Sequence, residues 1–248
     1  ERFFYVPACN LLVRRDLFLR LGGFEESLHV GEDVDFCWRL EDQGATLEYR
    51  PEGRVFHRHR NRLGAFFRRR FEYGTSEPLL QTLHPDRIKT LYLPPAETLF
   101  WVALILSLLL RFPLLLLVSG ALWGATWWRN HRKLQKLNIP VGSLTVAWST
   151  VRGFMALGYH CCSFISRYYL MAGMALLPFM PLTGASVIGM HLITGGVDYG
   201  ILRPRLSLPM YLFYFSVEQI AYQCGVWWGC IRHMNFHPVF PVITHRNA

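Results

Sequence analysis

The 248-residue chain carries 26 Lys and Arg against 17 Asp and Glu, a formal net charge of +9, and is 52% hydrophobic. Its six cysteines (Cys9, Cys37, Cys161, Cys162, Cys224 and Cys230) contain no C-x-x-C pair. That spacing excludes a zinc ribbon or a disulfide-stapled scaffold and reads as reduced, packing thiols. Fifteen of the seventeen acids fall in residues 1–97, and none lies between Glu97 and Asp198. A hundred residues rich in Leu, Trp, Phe and Met without one carboxylate are not an ordinary soluble surface and imply lipid contact. Positive charge set in loops beside such segments fits a membrane partner rather than nucleic acid. The chain opens at Glu1 with no signal-peptide pattern, so it reads as the C-terminal part of a longer protein.

In chain order, Phe3 to Pro7 reads as a strand leading into Ala8–Val13. The Arg14-Arg15-Asp16 corner then starts a short helix that ends at Gly22-Gly23. Asn10 either lines a pocket or packs; Arg14 and Arg15 read as a solvated helix start. The central stretch is Gly31 to Arg60, GEDVDFCWRLEDQGATLEYRPEGRVFHRHR. Val34, Cys37, Trp38 and Glu41 fall at i, i+3, i+4 and i+7, and Asp35 with Arg39 makes an i,i+4 acid-to-base pair. Glu32, Asp33 and Asp35 suit the positive end of a helix dipole, so a purely helix-starting role competes with a chemical one. Gly44 stops the helix, Thr46 to Tyr49 reads as a strand, and Pro51-Glu52-Gly53 as a turn. Val55-Phe56-His57 reads as a second strand. Running out and back, these two strands would carry His57 toward the acidic helix.

A short acidic helix opening on Glu32-Asp33, followed by a V-x-H strand, resembles the family 2 glycosyltransferases of GT-A fold. It is similar also to the polypeptide N-acetylgalactosaminyltransferases. The resemblance covers about the first 95 residues. It implies an α/β architecture: a partial GT-A (Rossmann-like) domain over residues 1–60, its acceptor-side half. A basic, aromatic interfacial helix and connecting loop (61–96) and a membrane-embedded α-helical region (97–248) follow. It implies Asp33 as the base that deprotonates an acceptor hydroxyl, beside an apolar wall of Phe36 or Trp38. Glu32 would orient that base or take a hydrogen bond from the acceptor, and His57, with His59 as the rival, would be a ligand of Mn²⁺ or Mg²⁺ under the leaving diphosphate. Asp33-Val34-Asp35 matches a D-x-D pattern, but it stands at a helix start and Asp35 belongs to Arg39. The nucleotide-binding D-x-D is therefore expected outside this chain. Within the family, YVPACNLLVRR, GEDVDFCWRL and HRHRNRLGAFFRRRFEYG are most like members that transfer glucose from UDP-glucose to a peptide-derived redox cofactor.

Beyond this stretch, Arg62, Arg68, Arg69 and Arg70 interleave with Phe66, Phe67 and Phe71. Leu63, Phe66, Phe67 and Phe71 stripe one side, the pattern of a helix lying on anionic lipid. Arg70, in a sequence faintly like the Q-x-x-R-W motif of processive membrane enzymes, is a candidate for the pyrophosphate, with Trp38 and Asn10 as the other candidate substrate contacts. Tyr73–Ser76 reads as a loop and His84-Pro85-Asp86 as plain surface. Thr98–Leu110 and Phe112–Trp128 form a tight hairpin or one kinked span, and Val146–Ile165 an interfacial segment. Tyr168–Thr194 and Ser207–Cys230 read as further spans, the second carrying Glu218. His160 and His191 read as packing residues. Two to four crossings of an inner membrane with a cytoplasmic catalytic domain are expected. The competing readings are a rhamnosyl or other transferase acting on cell-envelope or lipid-linked sugars and, from another class, a non-catalytic membrane scaffold.

Overall fold

A computed structural model describes residues 5–50, 52–56, 62–87 and 89–245. The chain divides into two compact units, Glu1–Ile88 with Phe213–Phe240, and Lys89–Leu212 with Pro241–Ala248. It is mostly helical, with α1 (Arg15–Arg20), α2 (Glu32–Asp42), α3 (Leu63–Leu83), α4 (Pro95–Leu110), α5 (Leu114–Lys136), α6 (Ser143–Leu176), α7 (Pro181–Leu202) and α8 (Leu208–His233). Two short strands, β1 (Thr90–Tyr92) and β2 (Val242–Thr244), pair in parallel with Thr90 opposite Val242.

In the first unit the acidic helix forms where its local signals place it. Gly31, at φ 88°, turns the chain in a left-handed conformation that disfavours a side chain, and three carboxylates follow in the first turn. The other end closes in a Schellman arrangement. Gly44 N–H donates to Glu41 O (2.8 Å) and Ala45 N–H to Leu40 O (3.0 Å), with Gly44 at φ 73°. Phe36, Cys37, Trp38 and Leu40 are buried along the helix. Trp38 packs with Leu28 and Leu80, while Phe36 meets Phe18 and Phe24 at ring-centroid distances of 5.2 Å each. The arginine corner also behaves as read, giving α1 and then the Gly22-Gly23 turn.

The strands expected around this helix are not present among the described residues. Residues 5–7 are extended and Ala8–Asn10 form a 3-10 turn, while 45–50 and 53–56 carry no strand. Thr-Leu-Glu-Tyr alternates as a strand does, but a strand also needs a neighbour for its backbone groups, and no described segment pairs with it. Tyr73–Ser76 is not a loop; it continues α3. The Thr75 and Ser76 hydroxyls donate back to Glu72 O (2.8 Å) and Tyr73 O (3.0 Å), satisfied within the helix. Gly74 faces α8 there. A Cβ on Gly74 would overlap the Tyr222 carbonyl, and one on Gly225 the Phe71 carbonyl, so the two backbones touch where both side chains are missing.

In the second unit the hairpin reading of the apolar runs holds. α4 and α5 fold back at Arg111, which takes φ 52°, and Ser119 Oγ donates to Phe100 O across 3.2 Å. The span read from Tyr168 to Thr194 is instead broken: α6 ends at Leu176 and α7 starts with Pro181 in its first turn. Proline is suited to a helix start and ends what precedes it, so Pro178 and Pro181 outweigh the continuous apolarity. α6 and α7 are joined by polar pairs: Tyr159 Oη donates to Asp198 (2.6 Å), and Ser166 Oγ lies 2.8 Å from His191 Nδ1. His191 is buried, as a packing residue should be. Among the described residues one helix, Pro181–Leu202, is long and apolar enough to cross a membrane; α4 is apolar but shorter.

Candidate active site

Helix α2 offers a different partner to each of its faces. The side that carries Asp33 and Cys37 meets the extended residues near the N-terminus. Val6 N–H donates to Cys37 Sγ (3.3 Å) and Ala8 N–H to Asp33 Oδ2 (3.3 Å). Asp33 is half-buried, and its other oxygen lies 2.9 Å from Val34 N. Burial raises the Cys37 thiol above its ordinary pKa, so it stays protonated against this segment. Two residues beyond Ala8, Asn10 Nδ2 donates to Gly53 O at 3.0 Å. A chain of contacts thus runs from Asp33 through Ala8–Asn10 to the 52–56 segment. His57 and His59, next in sequence, lie outside the described residues. Among the described residues no three His, Cys, Asp or Glu side chains cluster as a metal site, so a metal centre is not formed by these residues alone.

The second face holds a buried ionic node. Asp35 Oδ2 accepts from Arg39 Nε (2.9 Å) and Nη2 (2.6 Å), as the i,i+4 spacing requires. The same guanidinium donates to Leu21 O (2.7 Å) and Gly23 O (2.8 Å), tying the α1–α2 connection to the helix. Asp35 is only 5% exposed at its side chain, and a carboxylate this buried persists only with both oxygens engaged. The second oxygen is engaged by a residue that local pattern did not flag. His84, the residue that caps α3, stands with Nε2 2.8 Å from Asp35 Oδ1. An ionised carboxylate only accepts, so His84 Nε2 carries the proton.

The third face is closed by the same corner. Arg87 donates to Glu41 (2.7 Å) and Asp42 (2.6 Å) at the far end of α2. Burial opposes its charge, but the two carboxylates win and hold its pKa above the ordinary value. Between the two bridges lies Trp38, its ring edge-on to His84 at 5.1 Å and under the Arg87 guanidinium at 5.8 Å. His84 is therefore not plain surface, while Pro85 and Asp86 are exposed as expected. Trp38, expected to touch substrate, is buried beneath it.

Arg70 lies on α3 beside Phe66 and Tyr73, with Nε 3.4 Å from Glu218 on α8. A cleft of about 470 Å³ opens between His29 and Val30 on the approach to α2, Phe71 and Thr75 on α3, and Arg232 and His233 at the end of α8. It is mostly apolar with a cationic and imidazole rim, and it lies next to Gly31 in sequence.

The chain is a member of the glycosyl transferase family group 2, whose family profile matches residues 2–192. Two curated relatives are similar to it along nearly its whole length. Both are named pre-mycofactocin glycosyltransferase and come from Mycobacterium tuberculosis, strains CDC 1551 / Oshkosh and ATCC 25618 / H37Rv. Each is 31% identical over 248 residues, covering 96% of this chain and 51% of the relative. The chain thus spans about half the length of these curated relatives. No solved structure matches it. The family resemblance read from the Gly31–Arg60 stretch is borne out.

Proposed function

We propose that this chain is the acceptor-side part of an inverting glycosyltransferase that moves a sugar from a nucleotide-sugar donor to an acceptor hydroxyl. Asp33 is the base: it takes the hydroxyl proton as the acceptor oxygen bonds to the anomeric carbon and the nucleoside diphosphate departs. The observation that carries this reading is the placement of Asp33. It stands half-buried in the first turn of α2, with one carboxylate oxygen accepting from the Ala8 N–H. Glu32, half-buried one residue earlier, orients the acceptor. The cleft beside Val30 receives the acceptor, and Asn10 and Arg70 stand as further substrate contacts.

The donor half, with its D-x-D and the Rossmann-like sheet of a GT-A domain, is assigned to sequence outside this chain. We take UDP-glucose as the donor and a peptide-derived redox cofactor as the acceptor; the likeness to proteins named pre-mycofactocin glycosyltransferase supports an acceptor of the pre-mycofactocin kind. A divalent Mn or Mg ion would neutralise the leaving diphosphate, held in part by His57 or His59. Membrane attachment through α7 and the α4–α5 hairpin is supported by Leu108, Leu109 and Leu110, each at least 65% exposed. That apolar surface also favours a second reading, a transferase acting on lipid-linked sugars.

The test is made on the full-length protein with a panel of UDP- and dTDP-sugars and Mn²⁺ or Mg²⁺, comparing wild type with Asp33→Asn. Loss of a general base lowers turnover at least ~100-fold. An unchanged rate in an active enzyme would reduce Asp33 to a helix-start acid. A wild type that turns over no donor would favour the scaffold.

A further inference from the structure

The corner from His84 to Arg87 touches the acidic helix at both ends and covers the residue between. Asp35, Trp38, Glu41 and Asp42 lie along α2 from its first turn to its last residue, and every one of them is met by His84 or Arg87. The partners are separated by 49 residues at the Asp35 end and 46 at the Glu41 end. The bridge is therefore a tertiary strap rather than a local turn. Its His84 end is the tighter one, since Asp35 and His84 are 5% and 11% exposed at their side chains. Asp42, at the Arg87 end, is 54% exposed.

We propose that His84 is a positioning residue for the candidate catalytic turn: its bond to Asp35 fixes the first turn of α2 and, with it, the direction of the Asp33 carboxylate. Asp33 and Asp35 are separated by one residue. The Asp35 N–H is also the donor of the first intrahelical bond, to Gly31 O at 3.0 Å. A carboxylate anchored at this place pins the turn that presents Asp33. The remaining charges around the node are Arg39 on α2 itself, paired with the other Asp35 oxygen, and Arg87 on the strap, paired with Glu41 and Asp42. Neither can replace His84 at Oδ1 without surrendering its own partners. The functional half of the proposal rests on the reading of Asp33 as the base; the mechanical half does not.

Two variants of the full-length protein separate the bond from the ring. His84→Phe keeps an aromatic edge against Trp38 and removes the donor. His84→Gln keeps an N–H donor and removes the ring. Amide hydrogen exchange at Asp35–Trp38 is expected to speed up about tenfold or more in His84→Phe, the scale for losing a bond to a charged group, and to return to within about threefold in His84→Gln. Turnover should follow exchange, with kcat down about tenfold in His84→Phe while the donor KM stays within about twofold, because displacement of a catalytic group acts on the reacting geometry. Unchanged exchange in His84→Phe overturns the proposal. So does a Gln variant as mobile as the Phe variant, which would assign the effect to ring packing. Exchange reads the strap whether or not a sugar is transferred. An Asp33→Asn enzyme at full rate with a loosened His84→Phe helix would sink the base assignment and leave the strap standing.

Discussion

Arg70 and Glu218 stand opposite each other, Nε to Oε1 at 3.4 Å, joining the basic segment of α3 to the one acid within α8. Sequence assigned them separate tasks, one a pyrophosphate contact and the other an intramembrane acid. Their pairing gives Glu218 a reason to exist without a bilayer around it. The side chains are 36% and 30% exposed, so water screens much of the attraction. A double-mutant cycle of Arg70→Met and Glu218→Gln in thermal unfolding should return a coupling of about 0.5 kcal/mol, within the range for partly exposed pairs. A coupling near zero would remove the pair as a structural link. If Arg70 also meets the diphosphate, Arg70→Met raises donor KM while Glu218→Gln leaves it or lowers it.

A second expectation concerns acid. Burial raises the Glu72 carboxyl, but hydrogen bonds and charge from Arg68 and Arg69 outweigh it and hold the pKa below the ordinary 4.5. A depressed folded value contributes stability above the unfolded pKa and loses it as pH falls through the folded one. Glu72→Gln should therefore be less stable than wild type near neutrality, with the gap closing below about pH 4.5. Denaturation midpoints across that range check this. A gap that stays constant with pH would show that the arginines do not sense the charge.

The contact of α3 with α8 predicts a steric result. In Gly225→Ala the new methyl meets the Phe71 carbonyl, a backbone atom that cannot rotate away. Overpacking costs about 1–3 kcal/mol and exceeds the helix-propensity gain of about 1 kcal/mol for replacing Gly. Gly64→Ala, in the first turn of α3, meets nothing within 4 Å and should be neutral or slightly stabilising. Equal unfolding midpoints for the two variants would show that the helices do not approach as closely as described.

Features carried by neighbouring residues were readable before folding. The first-turn acids, the Asp35–Arg39 spacing and Gly44 are local signals, and α2 runs from Glu32 to Asp42 accordingly. His84 was not readable, because nothing near it in sequence announces a carboxylate 49 residues away. Trp38 sits on α2 as its spacing required, but the strap over it is tertiary and was not readable for the same reason. Residues 46–49 show the opposite failure, since alternation expresses a preference and only a partner strand makes it a sheet. In the apolar half, two prolines were visible yet gave way to a continuous hydrophobic count. The break between α6 and α7 restores their weight.

The parallel pairing of β1 with β2 bears on the order in which the chain acquires its structure. β1 precedes α4, and β2 follows α8, so five helices, α4 to α8, intervene between two three-residue strands. Leu93 N–H and Thr244 O, and Val242 N–H and Lys89 O, extend that seam to each side at 2.9 and 3.0 Å. During synthesis the intervening helices emerge first, and β1 has no partner for its backbone until Val242–Thr244 have left the ribosome. The seam closes only after α4 to α8 have been made, as a clasp fastened from its far side. Pulse-labelling of nascent chains stalled before Pro241 should find α4–α7 protected and Thr90–Tyr92 open.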